Sequence, residues 1–343
     1  MGSVKEVEII KKAEIKSEGE GEFIFSDRYS VFDWGEMPDH IEKKGPALCM
    51  LSSYFFALLE KNGIKTHFIG LNEGGVLKPF SKTKSPSNRM RVKVVRVLKP
   101  AYDKDGNKYD YSVYKKGKLA NYLIPLEVIY RNKLTESSSV FKRIKDGSAD
   151  FKSLGLQHEP VINEVLKNPV VDVSTKLEHT DRYLTWDEAQ KISGLDDKNI
   201  KKLKELVLKI NKIITTACKK AKIENIDGKF EFGMDAQGDI MVVDVLGTPD
   251  ECRFLFDGFH ISKEFARRWY RKTEWFTEIE KAKKMGGSDW KSLVKVQPPP
   301  LPAEIKKLIS QMYLSVTNEL TGKRVFDSPP LKKVIKELKK YDT

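Results

Sequence analysis

Residues 227–244 admit one compact arrangement, and it constrains everything around it. Asp227-Gly228-Lys229-Phe230-Glu231-Phe232-Gly233 alternates in polarity. As a strand it turns Phe230 and Phe232 to one face and Lys229 and Glu231 to the other. Gln237-Gly238-Asp239 supplies turn residues, and Ile240-Met241-Val242-Val243 returns as a second strand that delivers Asp244. Two carboxylates on adjacent strands with a lysine beside one of them suit a hard divalent cation and nucleotide phosphates. Mg²⁺ takes oxygen ligands and fills its remaining positions with water and phosphate. An isolated charged hairpin is more often a solvated surface, so the neighbouring segments decide.

Those segments alternate strand and helix signals. Phe23-Ile24-Phe25 and Arg91–Val97 read as strands. Between them Pro46 opens a helix whose stripe is Leu48, Leu51, Phe55, Leu58 and Leu59, and Gly63 stops it. Residues 71–90, with Gly74-Gly75, Pro79 and Ser85-Pro86-Ser87, are expected to form a mobile loop. Asp103-Lys104-Asp105-Gly106-Asn107 and a second turn near Lys116-Gly117 predict an inserted hairpin over 99–121. A strand follows from Tyr122 to Arg131, then a helix through Val140–Ile144. Asn168-Pro169 reads as a break before a polar loop holding Ser174, Thr175, Lys176 and Asp181. Thr185-Trp186-Asp187-Glu188 is a capping box, and the stripe Ile200, Leu203, Leu206, Val207, Ile210, Ile213, Ile214, Ala217 predicts a long amphipathic helix. Gln297–Pro302 is a stiff linker before helices near 303–320 and 329–341. The expected organisation is α+β: an antiparallel N-terminal domain with one helix (1–98), the inserted hairpin (99–121), a larger α+β domain (122–280) and a C-terminal helical extension (281–343).

Composition narrows the function classes. With 343 residues the chain can bury a sizeable core, and no apolar run approaches the ~20 residues of a membrane span. Met1–Glu6 lacks the apolar core of a secretory leader. Cys49, Cys218 and Cys252 form neither a disulfide framework nor a CxxC site, which suits a reducing cytoplasm. The net charge of +13 raises the question of nucleic acid. The lysines, however, are interleaved with glutamates, as in Lys201-Lys202-Leu203-Lys204-Glu205, and no zinc-finger or RNP-type motif accompanies them. Specific nucleic-acid binding is therefore not expected; small polyanionic substrates are. His40, His67, His158, His179 and His260 show no metal-ligand spacing.

The hairpin with Thr248-Pro249-Asp250-Glu251-Cys252-Arg253 after it resembles the SAICAR synthetase (phosphoribosylaminoimidazole-succinocarboxamide synthase) family. Four further segments match in order: Ser26-Asp27-Arg28-Tyr29-Ser30-Val31-Phe32-Asp33, Ile41-Glu42-Lys43-Lys44-Gly45, Pro125-Leu126-Glu127-Val128-Ile129-Tyr130-Arg131, and Ser174-Thr175-Lys176-Leu177-Glu178. The resemblance implies a kinase-like or ATP-grasp-like arrangement and an ATP- and Mg²⁺-dependent ligase of purine biosynthesis. Its reaction joins aspartate to a phosphoribosyl aminoimidazole carboxylate through an acyl phosphate. It places Glu231 and Asp244 on the metal with ATP, Lys229 and Lys12 near the ATP phosphates, and Arg131, Ser137 and Arg253 on the ribonucleotide 5′-phosphate. Asp250 falls near the ribose; Ser174, Thr175, Lys176 and Asp181 near the aspartate and the acyl group. Asp33 and Lys44 match its substrate-side N-terminal loop, and Lys263 and Arg267 its substrate-side helix. Lys229, Lys176 and Asp181 are the implied catalytic groups.

Three departures bear on specificity. Glu136 replaces a glycine in the phosphate loop, Val245 follows the metal-strand aspartate where an acid is frequent, and Arg268 stands where an aspartate is usual. A ligase acting on another acid and amine, and a non-catalytic basic protein on the same fold, are the alternatives these changes leave open. The sequence does not decide whether the C-terminal helices form a homo-oligomer surface or a lid.

Overall fold

Strand alternation builds two antiparallel sheets. The computed structural model describes residues 4–103, 106, 108–115, 119–285 and 290–341. The first sheet contains β1 (Lys5–Lys11), β2 (Gly19–Phe25), β3 (Phe68–Glu73), β4 (Val76–Lys78) and β5 (Arg89–Val94), in the order β1-β2-β5-β3-β4. Helix α1 (Lys44–Lys61) packs on β2, β3 and β5 and buries Leu48, Leu51, Phe55 and Leu59. Pro46 sits in its first turn, where a missing N–H costs nothing.

Residues 71–90 depart from the expected loop. Gly74 and Gly75 have φ of 62° and 86°, so Asn72-Glu73 and Val76-Leu77 pair directly across a two-residue turn. The Asn72 side chain accepts the Gly75 N–H at 2.8 Å. Consecutive positive φ values give the turn whose twist matches paired strands, so Gly-Gly here joins strands; residues 79–88 alone are largely irregular.

The inserted hairpin is present as β6 (Ala101–Asp103) and β7 (Lys108–Asp110), with Tyr102 and Tyr109 packed at 4.8 Å between ring centroids. Lys104, Asp105 and Asn107 of its turn, the Lys116-Gly117 turn and Met1–Ser3 lie outside the described residues. The second sheet takes β8 (Tyr122–Leu134), β9 (Glu164–Thr175), β10 (Ile223–Met234), β11 (Ile240–Val243), β12 (Cys252–Phe256) and β13 (Phe259–His260). Its order is β13-β12-β10-β8-β9, with β11 pairing the far end of β10.

Asn168-Pro169 does not break the chain as expected. β9 runs through it, and Ser174 and Thr175 are the last residues of that strand. β9 is an edge strand whose pairing with β8 shifts register between Arg131 and Lys133, so the proline falls in an irregular stretch that needs no N–H from it.

The helices complete the layers. α2 (Ser139–Lys145) is capped by the Ser138 side chain, and α3 (Trp186–Ser193) by the full Thr185/Glu188 box. α4 (Asp197–Lys220) packs the predicted stripe on β8, β9 and β10, with Leu206 and Ile213 at its half-buried margin. After β13 come α5 (Glu264–Tyr270) and α6 (Glu274–Met285), then α7 (Ala303–Thr321) and α8 (Leu331–Leu338). α7 packs on α1, and α8 on α7. The proline linker is tied down at both ends: Tyr270 donates to the Pro299 carbonyl at 2.9 Å and the Leu301 N–H to Asp39 at 3.2 Å. Among the described residues no helix is long and apolar enough to cross a membrane.

Candidate active site

The second sheet sets carboxylates abreast. Glu127 of β8 lies opposite Ser174 of β9 on one side and Glu231 of β10 on the other, and Glu231 lies opposite Val243 of β11, next to Asp244. Two facing carboxylates repel unless a cation stands between them. Lys176, just past β9, does so: its Nζ donates to Glu231 at 2.6 Å and to Glu127 at 2.9 Å. Lys229 Nζ takes the same Glu127 oxygen at 3.0 Å and lies 3.6 Å from Glu251. Asp244 receives Lys5 Nζ from β1 at 2.6 Å, across the gap between the two sheets. A strip of alternating charge therefore runs along the sheet.

Burial sets how these groups titrate. Glu231 is pushed up to about 8 by burial and then by the Asp244 charge. Burial also raises Asp244 and Glu127, but Lys5 and Lys176 outweigh it for Asp244, and Lys229 and Lys176 for Glu127; both stay below the ordinary carboxylate range. Lys176 and Lys229 are held charged, since their carboxylate partners overcome the burial that opposes them. Asp244 has φ of 68°, an uncommon backbone state for a residue with a Cβ. His67, driven down to about 4 by burial and so neutral, donates Nε2–H to its carbonyl at 3.1 Å.

Beside the strip opens a cavity of about 420 Å³ lined by seven lysines and arginines and by seven carboxylates. Arg131 projects from β8 and is 2% exposed, held by Ser139 at 3.0 Å, Tyr183 at 3.3 Å and Asp172 at 3.4 Å. Arg253 of β12 forks onto Asp227 at 2.6 and 2.8 Å and reaches Ser137 with its remaining nitrogen at 2.6 Å. The β10–β12 pairing puts Asp227 opposite Arg253, and the β10–β8 pairing puts it opposite Arg131. One aspartate thus aims two arginines. Gly228 makes that approach possible, since a Cβ there would meet Cys252 Sγ and Tyr130 Oη at 2.7 Å. Asp250, on the opposite wall, accepts from Lys44 Nζ and Tyr313 Oη, each at 2.6 Å. Lys263, Arg267 and Arg271 line the same wall, with Glu264 bonded to Arg271 at 2.7 Å. Burial, then Arg267, lowers the Lys263 ammonium.

A family model described as SAICAR synthetase matches residues 14–283. The chain belongs to the SAICAR synthetase family. A protein of Archaeoglobus fulgidus assigned as a phosphoribosylaminoimidazole-succinocarboxamide synthase is 50% identical over 99% of both chains. The synthase of Thermoplasma acidophilum is 33% identical over 88% of this chain and 93% of its own. Among solved structures, the Saccharomyces cerevisiae SAICAR synthase complexed with SAICAR shares the fold with a TM-score of 0.64, at 23% identity and 94% coverage of each chain. A SAICAR synthetase in complex with ADP gives 0.59 at 24% identity, covering 94% of this chain and 97% of its own.

Within this family member the predicted residues separate into groups. Lys176, Lys229, Glu231 and Asp244 share the strip. Asp33, Arg131, Ser137, Ser174, Asp181, Asp250, Arg253, Lys263 and Arg267 all line the cavity. Three predicted residues lie elsewhere. Lys12 is exposed past the end of β1, with no side-chain bond among the described residues. Thr175 is fully buried and its hydroxyl accepts the Arg182 N–H at 3.1 Å, which holds the turn after β9. Lys44 is 1% exposed and meets the cavity only through Asp250. Asp33 is exposed and bonds Lys283 of α6 at 3.2 Å.

Sequence reasoning missed Glu127, Glu251 and Lys5. Glu127 carried a usable signal, since it alternates with Ile129 and Arg131 on a strand whose other positions are apolar. Lys5 carried none: only the approach of β1 to the end of β11 makes it a partner of Asp244. Two departures are accommodated quietly. Glu136 is exposed and does not line the cavity, and Val245 is buried in the core.

Proposed function

We propose that the strip and the cavity divide the succinocarboxamide synthase reaction of purine biosynthesis between them. ATP, with Mg²⁺, occupies the Glu231–Asp244 end. The phosphoribosyl aminoimidazole carboxylate fills the cavity with its 5′-phosphate toward Arg131 and Arg253, and L-aspartate enters beside Ser174 and Lys176. The observation that carries this reading is the Lys176–Glu127–Lys229 bridge, which joins the two-carboxylate end to the arginine cavity in one bonded row.

Glu231 and Asp244 fit a Mg²⁺ ion: they are oxygen donors on β10 and just past β11, close enough that the Asp244 charge adds to burial in raising Glu231. When bound, the ion supplies charge neutralisation for the nucleotide phosphates. The γ-phosphoryl group passes from ATP to the substrate carboxylate, forming an acyl phosphate and releasing ADP. The aspartate amine then attacks the acyl carbon; the C–N bond forms, the C–O bond to phosphate breaks, and phosphate leaves. Lys229 and Lys176, fixed in their charged forms, stabilise the anionic oxygens as charge develops. Asp181, raised by partial burial and then by the Glu127 charge, takes the amine proton. Arg131, Arg253 and Ser137 hold the 5′-phosphate through arginines already aimed by Asp227 and Asp172. Asp250 accepts from the ribose, and Lys263 and Arg267 add charge on the same wall. The exposed Glu136 favours this substrate over the paralogue reading, because it adds no carboxylate to those already paired with the pocket's arginines.

The free, buried thiols of Cys49, Cys218 and Cys252 accord with a cytoplasmic setting. A phosphate-release assay tests the proposal, with the carboxyaminoimidazole ribonucleotide and aspartate supplied together and omitted in turn. Release that needs both, with the succinocarboxamide as product, supports it; release with a different acid or amine overturns it.

A further inference from the structure

Asp250 is held from behind by a helix that lies outside the family match, which ends at residue 283. Tyr313 of α7 donates its hydroxyl to Asp250 Oδ1 at 2.6 Å, while Lys44 of α1 takes Oδ2 at 2.6 Å. The Lys44 ammonium also lies 5.4 Å from the centre of the Tyr313 ring, so the three groups form a closed triangle. We propose that Tyr313 is a positioning residue of the ribonucleotide pocket, fixing the Asp250 carboxylate as a hydrogen-bond acceptor for the ribose. The inference rests on the assignment of Asp250 to the ribose made above.

A packing role alone does not account for the hydroxyl. Tyr313 sits in the apolar stripe of α7 between Ile309 and Val316, where phenylalanine would fill the same space. Its phenol is pushed well above its ordinary value by burial and then by the Asp250 charge, so it remains a donor. The helix is registered on the segment that supplies Lys44: Ser310 donates to the Glu42 carbonyl at 2.6 Å and Thr317 to the Ala47 carbonyl at 3.2 Å. Each carboxylate oxygen accepts about two hydrogen bonds. With one taken from behind on each oxygen, the other site of each is available to the cavity that Asp250 lines. Without the Tyr313 donor, Oδ1 is free to rotate toward Lys263 on the same wall.

The test is Tyr313→Phe, which keeps the ring and removes the hydroxyl, assayed beside Asp250→Asn and the double variant. KM and kcat are measured for the ribonucleotide, its 2′- and 3′-deoxy forms, and ATP. Tyr313→Phe is expected to raise the ribonucleotide KM about tenfold. Its kcat should stay within about twofold, the ATP KM should be unchanged, and the preference for ribose over one deoxyribose form should fall by a similar factor. In the Asp250→Asn background, Tyr313→Phe should add nothing. If Asp250→Asn removes the ribose preference and Tyr313→Phe does not, the Tyr313 inference fails and the ribose assignment stands. If Asp250→Asn leaves the preference intact, the ribose assignment itself fails. A Tyr313→Phe protein that is unfolded, or that loses ATP and ribonucleotide affinity alike, shows a packing role and overturns the inference.

Discussion

Glu127 is the group on which the strip turns, and Glu127→Gln tests whether the strip is catalytic. One of its oxygens receives Lys176 at 2.9 Å and Lys229 at 3.0 Å. Each such charge-assisted bond is worth ~1.5–3 kcal/mol, and breaking a fully buried pair costs ~3–5 kcal/mol. The lysine side chains, however, are 28% and 31% exposed, and each keeps a second carboxylate, Glu231 or Glu251. Water and those partners absorb part of the loss, so a destabilisation of about 2 kcal/mol is expected. The catalytic cost is larger in proportion. With Glu127 neutral, the two ammonium groups repel each other and should leave the positions proposed for them around the transferring phosphoryl group. Losing one preorganised electrostatic contact typically lowers kcat ~10²-fold, about 2.7 kcal/mol. The added positive charge should leave the ATP KM unchanged or lower. Phosphate release under saturating substrates gives kcat, and urea denaturation gives stability. A protein that loses the predicted stability yet keeps kcat within threefold refutes the catalytic reading and leaves a structural ion-pair row.

Other perturbations separate the parts of the site. Glu231→Gln should abolish turnover at every Mg²⁺ concentration, since an amide cannot replace the charge. Full activity at limiting Mg²⁺ counts against the metal assignment. Arg253→Lys loses the fork on Asp227 and should raise the ribonucleotide KM on the order of tenfold, with ATP unaffected; equal loss for both substrates would join the two phosphate pockets into one. Away from the site, Glu22 is buried against Asn72, Arg89 and Arg91, whose bonds overcome the burial that would raise it and hold it below 4.5. Its stabilisation is therefore present above pH 4.5 and lost as pH falls through the lower folded value. Glu22→Gln should cost about 1–2 kcal/mol at pH 7, with the gap from the parent protein closing below pH 4.5 in denaturation curves; a gap that widens in acid contradicts the ion-pair account.

The strands and helices with regular periodicity were legible in the sequence, as were the residues that alternation placed on one face. Phe230, Phe232, Lys229 and Glu231 needed nothing more than period two. The α4 stripe and the Thr185 box needed nothing more than local spacing. Illegible features were those decided between elements. Gly74-Gly75 signals a turn equally well in a loop or a hairpin, and only the partner strand distinguishes them. Pro169 reads as a break until β9 is known to be an edge. The same limit applies to the site. Thr175 shares a motif with Ser174, but adjacent strand residues face opposite ways, so one lines the cavity and the other is buried. Lys5 and Tyr313 lie 239 and 63 residues from the aspartates they bond, and no local pattern announces such pairs.

The separation between Asp250 and Tyr313 also has a temporal meaning. During synthesis the chain emerges N-terminus first, at ~5–20 residues per second. Lys44, Arg131 and the two sheets are all made before α7, and Tyr313 follows Asp250 by 63 residues. For roughly 3–13 seconds, then, Asp250 has been synthesised and its Tyr313 partner has not. α7 completes the wall, so a nascent chain paused before residue 313 carries Asp250 with its Lys44 partner and without the Tyr313 donor.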